Sequence, residues 1–175
     1  MYDPKVYWQS RGYAYKADSD VRDPIDLAAF CANYDVKNIL EVGSGYGRMY
    51  MGLKRLLNIP YEMCDIADSM IEECHRNTGI MAKKYDGITL PYEDKTIDCV
   101  ISVNVALHVP PDKIEHFIAE HFRVANRYVW IASGYHYKIP LRPHVFDHDM
   151  DKLLEGKVFG TIERCPTNKI WMCNA

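Results

Sequence analysis

Hydrophobic positions follow two alternating periods along this chain of 175 residues. Short apolar runs, of the length typical of buried parallel strands, occur at 38–42, 60–65, 81–85, 97–105 and 128–132. Between them, apolar residues recur at helical spacing over 23–34, 48–57, 68–77 and 112–125. This alternation of strand and helix predicts an α/β fold with a doubly wound, mainly parallel sheet.

The last part of the chain departs from this alternation. The pattern predicts a short helix at 147–154 and then two strands, 158–164 and 169–173, around the turn Pro166-Thr167-Asn168. We therefore predict a Rossmann-like sheet of seven strands, mostly parallel with an antiparallel C-terminal hairpin strand. The chain divides within one domain into an aromatic arm (1–22), a core (23–133) and a C-terminal segment with the hairpin (134–175).

Composition excludes several classes of protein. The 21 basic and 24 acidic residues leave a net charge of −3, which argues against nucleic-acid binding driven by phosphate neutralisation. No apolar run approaches the roughly 18 residues of a membrane helix, and the first ten residues are not a signal peptide. The 6 cysteines form no C-x-x-C pair, so we expect reduced thiols in a cytoplasmic protein.

A glycine-rich turn follows the first predicted strand, in I-L-E-V-G-S-G-Y-G-R (39–48). Glycines at such a turn allow the backbone to approach a ligand closely. The dinucleotide fingerprint G-x-G-x-x-G would need a further glycine where Arg48 stands, which disfavours a nicotinamide-dependent oxidoreductase.

Acidic residues close the next two predicted strands. Asp65 ends the second strand, where a carboxylate can accept both hydroxyls of a ribose, and Asp86 ends the third. Because the carboxyl ends of parallel strands meet at one edge of the sheet, these acids and the glycine turn are expected to share one crevice.

Four stretches in chain order carry a resemblance to a known family. E-V-G-S-G-Y-G, C-D-I-A-D-S-M-I, D-G-I-T-L-P-Y-E-D-K-T-I-D-C-V-I-S and N-V-A-L-H-V-P resemble the successive motifs of class I S-adenosylmethionine-dependent methyltransferases of the small-molecule type. The resemblance covers roughly residues 25–133. It implies S-adenosyl-L-methionine as cofactor and methyl transfer to an O or N nucleophile of a small metabolite by direct in-line displacement.

The resemblance also implies which residues hold the cofactor. The glycine loop would wrap its methionine and ribose portion, Asp65 would bind the ribose, Asp86 the adenine amino group, and Asn104 would lie along the methionyl moiety. The full implied set is Arg11, Glu41, Gly43, Ser44, Gly45, Tyr46, Gly47, Asp65, Ile66, Met70, Asp86, Gly87 and Asn104.

The arm is rich in aromatic residues, and its Y-W-Q-S-R (7–11) resembles the opening of many of these enzymes, in which the arm closes over the cofactor. Aromatic faces attract a sulfonium as they do other cations. A lid and simple packing at the sheet edge both remain open as roles for this arm.

Three residues are candidates for catalysis: His108, His136 and Tyr13. Histidine titrates near neutrality and can accept a proton from the nucleophile, although alignment alone can suffice for a one-step displacement. His144 and His148 have a spacing that metal ligands can have, but the stretch is simpler to interpret as the approach to the last helix, and no metal is predicted.

The expected partner is a small-molecule substrate, with neither nucleic acid nor membrane, and a monomer and a homodimer both stay open. The alternative function is a binding or scaffolding protein of the same fold without transferase activity. On the helix at 112–125, Lys113, Glu120 and Arg123 are expected to form a solvated face.

Overall fold

A computed structural model describes residues 2–11, 22–134, 142–165 and 168–175. The helices are α1 (Pro4–Arg11), α2 (Arg22–Asn33), α3 (Arg48–Leu53), α4 (Asp68–Thr78), α5 (Ile114–Val124) and α6 (Met150–Leu153). The strands are β1 (Ile39–Val42), β2 (Tyr61–Asp65), β3 (Lys83–Lys84), β4 (Ile97–Val103), β5 (Ala125–Gly134), β6 (Val158–Cys165) and β7 (Asn168–Asn174), and a 3-10 turn spans Ala106–His108.

The strands form one seven-stranded sheet in the order β3-β2-β1-β4-β5-β7-β6. Neighbouring strands from β3 to β5 are parallel, whereas β7 runs antiparallel to β5 and β6 antiparallel to β7. This confirms the predicted fold class. The strand order reverses between β1 and β4, which is where open α/β sheets bind their ligands.

Helices cover both faces of the sheet. Side chains of successive strand residues point to opposite faces, so Leu40 and Val42 pack in the cluster under α5 and α6, while Ile39 packs in the cluster under α2 and α3. α4 packs beside them on Met63 of β2. Burial on both faces explains the nearly continuous apolar runs of β1 and β4.

The N-terminal arm contains a helix that the sequence pattern does not predict. α1 spans Pro4–Arg11 and has no fully buried residue, so it lacks the apolar stripe by which the other helices are recognised. The remaining boundaries differ less: α3 ends at Leu53 rather than at 57, and β5 begins three residues before its predicted start.

The expected solvated face on α5 is wrong for two of its three members. Glu120 is 7% exposed and accepts a hydrogen bond from the Leu90 backbone N–H at 2.7 Å. Arg123 pairs with Glu120 and donates to the carbonyl oxygens of Leu90 and Tyr92. The two side chains therefore hold the loop after β3 by bonding to its backbone, and the Leu90 carbonyl oxygen also accepts from the Tyr92 N–H.

Within the described ranges, no helix combines the length and the apolar character needed to cross a membrane. In the same ranges, the buried cysteines Cys31, Cys64, Cys74, Cys99 and Cys173 are free thiols.

Candidate functional site

A cavity of 320 Å³ lies at the carboxyl edge of the parallel strands. Its walls come from the loops after β1, β2, β3 and β4, together with α1 and the start of α5. Most of the residues singled out from the sequence line it, namely Glu41, Gly43, Ser44, Gly45, Tyr46, Asp65, Ile66, Met70, Asp86, Gly87, Asn104 and His108.

The loop after β1 adopts backbone conformations that favour glycine. Gly43 has φ +74°, and a Cβ added there would lie 2.6 Å from Cγ2 of Val105 across the cavity wall. A side chain at this position would therefore displace Val105, which lines the same cavity. The N–H of Gly43 donates to the carbonyl oxygen of Cys64, which fixes the loop to β2.

The third glycine of the loop has a different task. Gly47, with φ +86°, does not line the cavity but begins α3, and an added Cβ would lie 2.5 Å from Cγ2 of Thr78. Because Gly47 has no side chain, the loop packs closely on α4. This contact holds the cavity-lining part of the loop in place.

Asp65 braces the glycine loop. Its carboxylate accepts hydrogen bonds from the backbone N–H groups of Gly45, at 2.9 Å, and of Ala67, at 3.0 Å. Burial raises the pKa of this carboxyl, and the backbone donors act in the opposite direction. Since each carboxylate oxygen has two lone pairs, Asp65 retains acceptor capacity toward the cavity that it lines.

Asp86 closes a turn after β3, the strand that pairs with β2. Its Oδ1 accepts hydrogen bonds from the backbone N–H groups of Thr89, at 2.9 Å, and Ile88, at 2.8 Å. These donors hold the pKa of the exposed Asp86 carboxyl below its usual value. Asp86 therefore stays ionised and can accept a hydrogen bond from a ligand N–H.

Glu41 is a buried acid in the cavity wall. It is 3% exposed and accepts a hydrogen bond from the Tyr61 hydroxyl at 2.9 Å. Burial raises the pKa of Glu41 to about 8, opposed by the Tyr61 hydrogen bond and the positive charge of Arg48. Glu41 is therefore ready to lose a proton when a cation enters the cavity.

Asn104 and His108 follow β4 on the same wall. Asn104 has φ +56°, a left-handed conformation that asparagine tolerates better than most residues. The Nδ1 atom of His108 lies 2.6 Å from the carbonyl oxygen of His144. Because a carbonyl only accepts, Nδ1 carries the proton and Nε2 is the unprotonated nitrogen. Burial lowers the pKa of His108 to about 4, so its ring is neutral at pH 7.

Helix α1 supplies one wall of the cavity that the motifs after β1 to β4 do not reveal. Pro4, Lys5 and Trp8 of this helix line the cavity, as does Asp3 just before it. The Trp8 ring meets the His108 ring edge to face, with centroids 4.9 Å apart. The Y-W-Q-S-R motif, which includes Trp8, is the sequence signal for this wall. The helix itself has no periodic apolar pattern that would predict it.

The other predicted residues lie apart from this cavity or outside the described residues. Arg11 is exposed, with its guanidinium carbon 4.9 Å from the centroid of the Tyr7 ring, and it does not line the cavity. Tyr13 and His136 lie outside the described residues, so their roles stay predictions.

Arg48 is a cavity residue whose role the sequence left open. Its Nη2 lies 3.2 Å from Oδ2 of Asp23 at the start of α2, so it braces the loop against that helix. In the part of the chain that the structure describes, no group of three or more His, Cys, Asp or Glu side chains is arranged to hold a metal ion. His148 instead donates from Nε2 to the carbonyl oxygen of Val109, and the Asp149 side chain caps α6 by accepting from the Lys152 N–H.

Comparison with known proteins agrees with this geometry. The family model described as a methyltransferase domain matches residues 39–127, just over half of the chain. None of the curated proteins matches the chain.

Solved structures of similar fold cover nearly the whole chain. A SAM-dependent methyltransferase from Aquifex aeolicus is 18% identical with a TM-score of 0.71, covering 99% of both chains. Magnesium protoporphyrin IX methyltransferase from Synechocystis with bound SAM is 15% identical with a TM-score of 0.74, covering 99% of this chain and 98% of that one. The DhpI–SAH complex is 20% identical with a TM-score of 0.75, covering 97% of this chain and 94% of that one. At these identities, the likeness shows a shared fold.

Proposed function

Since this chain belongs to the class I S-adenosylmethionine-dependent methyltransferase family, we propose that it transfers the methyl group of S-adenosyl-L-methionine to an O or N nucleophile of a small metabolite by direct displacement. One observation carries this proposal. Four segments distant in sequence, each bearing a residue suited to one part of that cofactor, converge on a single cavity.

The cavity residues fit this cofactor. Gly43 keeps open a cradle that a side chain would fill, since an added Cβ would lie 2.6 Å from Val105. Asp65 would bind the ribose hydroxyls and Asp86 the adenine amino group, because both carboxylates face the cavity with acceptor capacity left. Ile66 and Met70 supply apolar surface for a flat ring.

The methionine portion would lie along the first and fourth strands. Glu41 would face its cationic groups, and Asn104 would lie beside it. When bound, the cofactor supplies an electrophilic methyl group on a positively charged sulfur. Trp8 presents an aromatic ring to the same cavity, and the faces of such rings attract cations.

His108 would accept the proton that the attacking O–H or N–H group loses. Its Nδ1–H is held by the carbonyl oxygen of His144, so the basic lone pair is on Nε2. Burial lowers the pKa of this ring to about 4, so it is neutral at pH 7 and a weak base, and Nε2 can accept a hydrogen bond from the attacking group before taking its proton.

Transfer of label tests the proposal. The protein is incubated with S-adenosylmethionine labelled in its methyl group and a cell metabolite extract, and small-molecule products are separated and counted. We expect label in an O- or N-methylated product with wild-type protein and with His75→Gln, an exposed histidine on α4, but strongly reduced label with His108→Gln. Binding of S-adenosylhomocysteine without product from any extract would favour a scaffolding protein.

A further inference from the structure

Three hydrogen bonds join segment 142–149 to the turn that carries His108. The backbone N–H of Phe146 donates to the carbonyl oxygen of Leu107 at 2.8 Å. Two residues later, Nε2 of His148 donates to the carbonyl oxygen of Val109 at 2.9 Å. His108 Nδ1 also donates to the His144 carbonyl oxygen. Segment 142–149 therefore bonds to His108 and to the residues before and after it, Leu107 and Val109.

Tyr7 of α1 holds His144 from the other side. The two rings stack with centroids 4.4 Å apart and an interplanar angle of 24°. The Tyr7 hydroxyl lies 3.1 Å from Nε2 of His144, a hydrogen bond in which the His144 tautomer decides which group donates. One residue further along α1, Trp8 touches the ring of His108 itself. The helix thus contacts His108 directly and also supports the residue that orients it.

The same helix is attached to the cofactor side of the cavity. The first backbone N–H of α4, at Asp68, donates to Oε1 of Gln9 at 2.9 Å. The N-cap residue of α4, Ala67, has no side chain that accepts a hydrogen bond, so Gln9 caps this helix from outside. The hydroxyl of Ser69 donates to the carbonyl oxygen of Trp8 at 3.3 Å. α4 begins shortly after Asp65 and Ile66, which line the cavity. Helix α1 therefore contacts both the His108 turn and the segment that carries the proposed ribose anchor.

We propose that Tyr7 is a positioning residue that orients His108 through His144, on the premise of the proposed function that His108 accepts the proton. The Tyr7 hydroxyl fixes His144, whose carbonyl oxygen holds the Nδ1–H of His108. Without it, the His144 carbonyl oxygen is held only through the Phe146 and His148 contacts, and the Nε2–H tautomer of His108 becomes more populated; only the Nδ1–H form offers the lone pair on Nε2. The contacts of α1 and the orientation of the proposed proton acceptor are thereby coupled.

Histidine tautomers can be read directly by nitrogen NMR on protein labelled with ¹⁵N-histidine and saturated with S-adenosylhomocysteine. We expect His108 in the Nδ1–H form in wild type and in Tyr34→Phe, a matched tyrosine at the far end of α2. In Tyr7→Phe, which keeps the ring stack, His108 should become a mixture of tautomers. Transfer of label to metabolite extract should fall about threefold to tenfold, the worth of one hydrogen bond, with affinity for S-adenosylhomocysteine within about twofold of wild type.

The outcomes separate the two proposals. A wild-type tautomer and an unchanged transfer rate in Tyr7→Phe would overturn the positioning role of Tyr7 even if His108→Gln is inactive. Unimpaired transfer in His108→Gln, or no transfer by wild type, would instead overturn the proposed function and with it the premise. In each variant, an unchanged affinity for S-adenosylhomocysteine shows that the residues proposed to bind the cofactor are intact.

Discussion

The two walls of the cavity are held together by different kinds of contact. On the cofactor wall, backbone N–H groups donate to carboxylates that are close in sequence: Gly45 to Asp65, 20 residues apart, and Ile88 to Asp86, two apart. Behind the opposite wall, which Trp8 and His108 line, side chains meet from distant parts of the chain: Tyr7 and His144 are 137 residues apart.

This difference separates the chemistry that the two walls can support. Backbone donors and strand ends give a fixed frame for a ligand whose shape does not vary. Trp8 of α1 and His108 give a surface on the other wall that can differ from protein to protein without changing the sheet. We therefore expect substitutions on the first wall to change cofactor affinity and those on the second to change transfer.

The largest effect is expected at His108. His108→Gln should lower label transfer about 10²-fold, the lower end of a general base's usual contribution for a weak base, because the amide oxygen of glutamine is not basic enough to take the proton. Affinity for S-adenosylhomocysteine, measured by calorimetry, should stay within about twofold of wild type. A large loss of affinity would place His108 on the cofactor wall instead.

A smaller effect, on binding, is expected at Asp65. Asp65→Ala removes the acceptor for the Gly45 and Ala67 N–H groups and the proposed ribose anchor, so S-adenosylhomocysteine should bind more than about tenfold more weakly. Glu155→Ala, an exposed acid after α6, is the control and should bind as wild type does. Equal affinity of the two variants would show that Asp65 does not anchor the ligand.

Gly43 and Gly79 make a matched pair of left-handed glycines. Both have φ close to +75°, but an added Cβ meets Val105 at Gly43 and nothing within 4 Å at Gly79. Gly79→Ala should cost about 1 kcal/mol of stability and leave binding unchanged. Gly43→Ala should in addition weaken S-adenosylhomocysteine binding by about tenfold, since Val105 must move into the cavity. Identical binding by the two variants would mean that the Gly43 cradle is not occupied.

The smallest effect is a proton count at Glu41. Its pKa of about 8 keeps it mostly protonated at pH 7, and a cationic ligand beside it favours the ionised form. Binding of S-adenosylmethionine at pH 7 should therefore release about 0.5–1 proton. Calorimetry in buffers of different ionisation enthalpy measures this number. Glu41→Gln should release clearly less, and equal release would assign the proton to another group.

The contrast between the walls also explains what the sequence could predict. Strand ends and the glycine turn have local signals, so the cavity-lining positions of Gly43, Asp65 and Asp86 could be found from period and spacing alone. α1 has no such signal because its contacts use the Gln9 side chain and the Trp8 carbonyl oxygen rather than an apolar stripe.

Charged residues on α5 show a second limit. At helical spacing, Glu120 and Arg123 are indistinguishable from a solvated face, yet they bind backbone groups of the loop after β3. Such side chain to backbone contacts depend on where a distant loop runs, and no local pattern records that. Arg48 is the same case, since its partner Asp23 is 25 residues away.

Calorimetry of the wild-type protein with two ligands tests the central claim most directly. We predict that S-adenosylhomocysteine binds at one site per chain and that NAD gives no binding heat, because Arg48 replaces the last glycine of the dinucleotide fingerprint. Binding of NAD without binding of S-adenosylhomocysteine would contradict it.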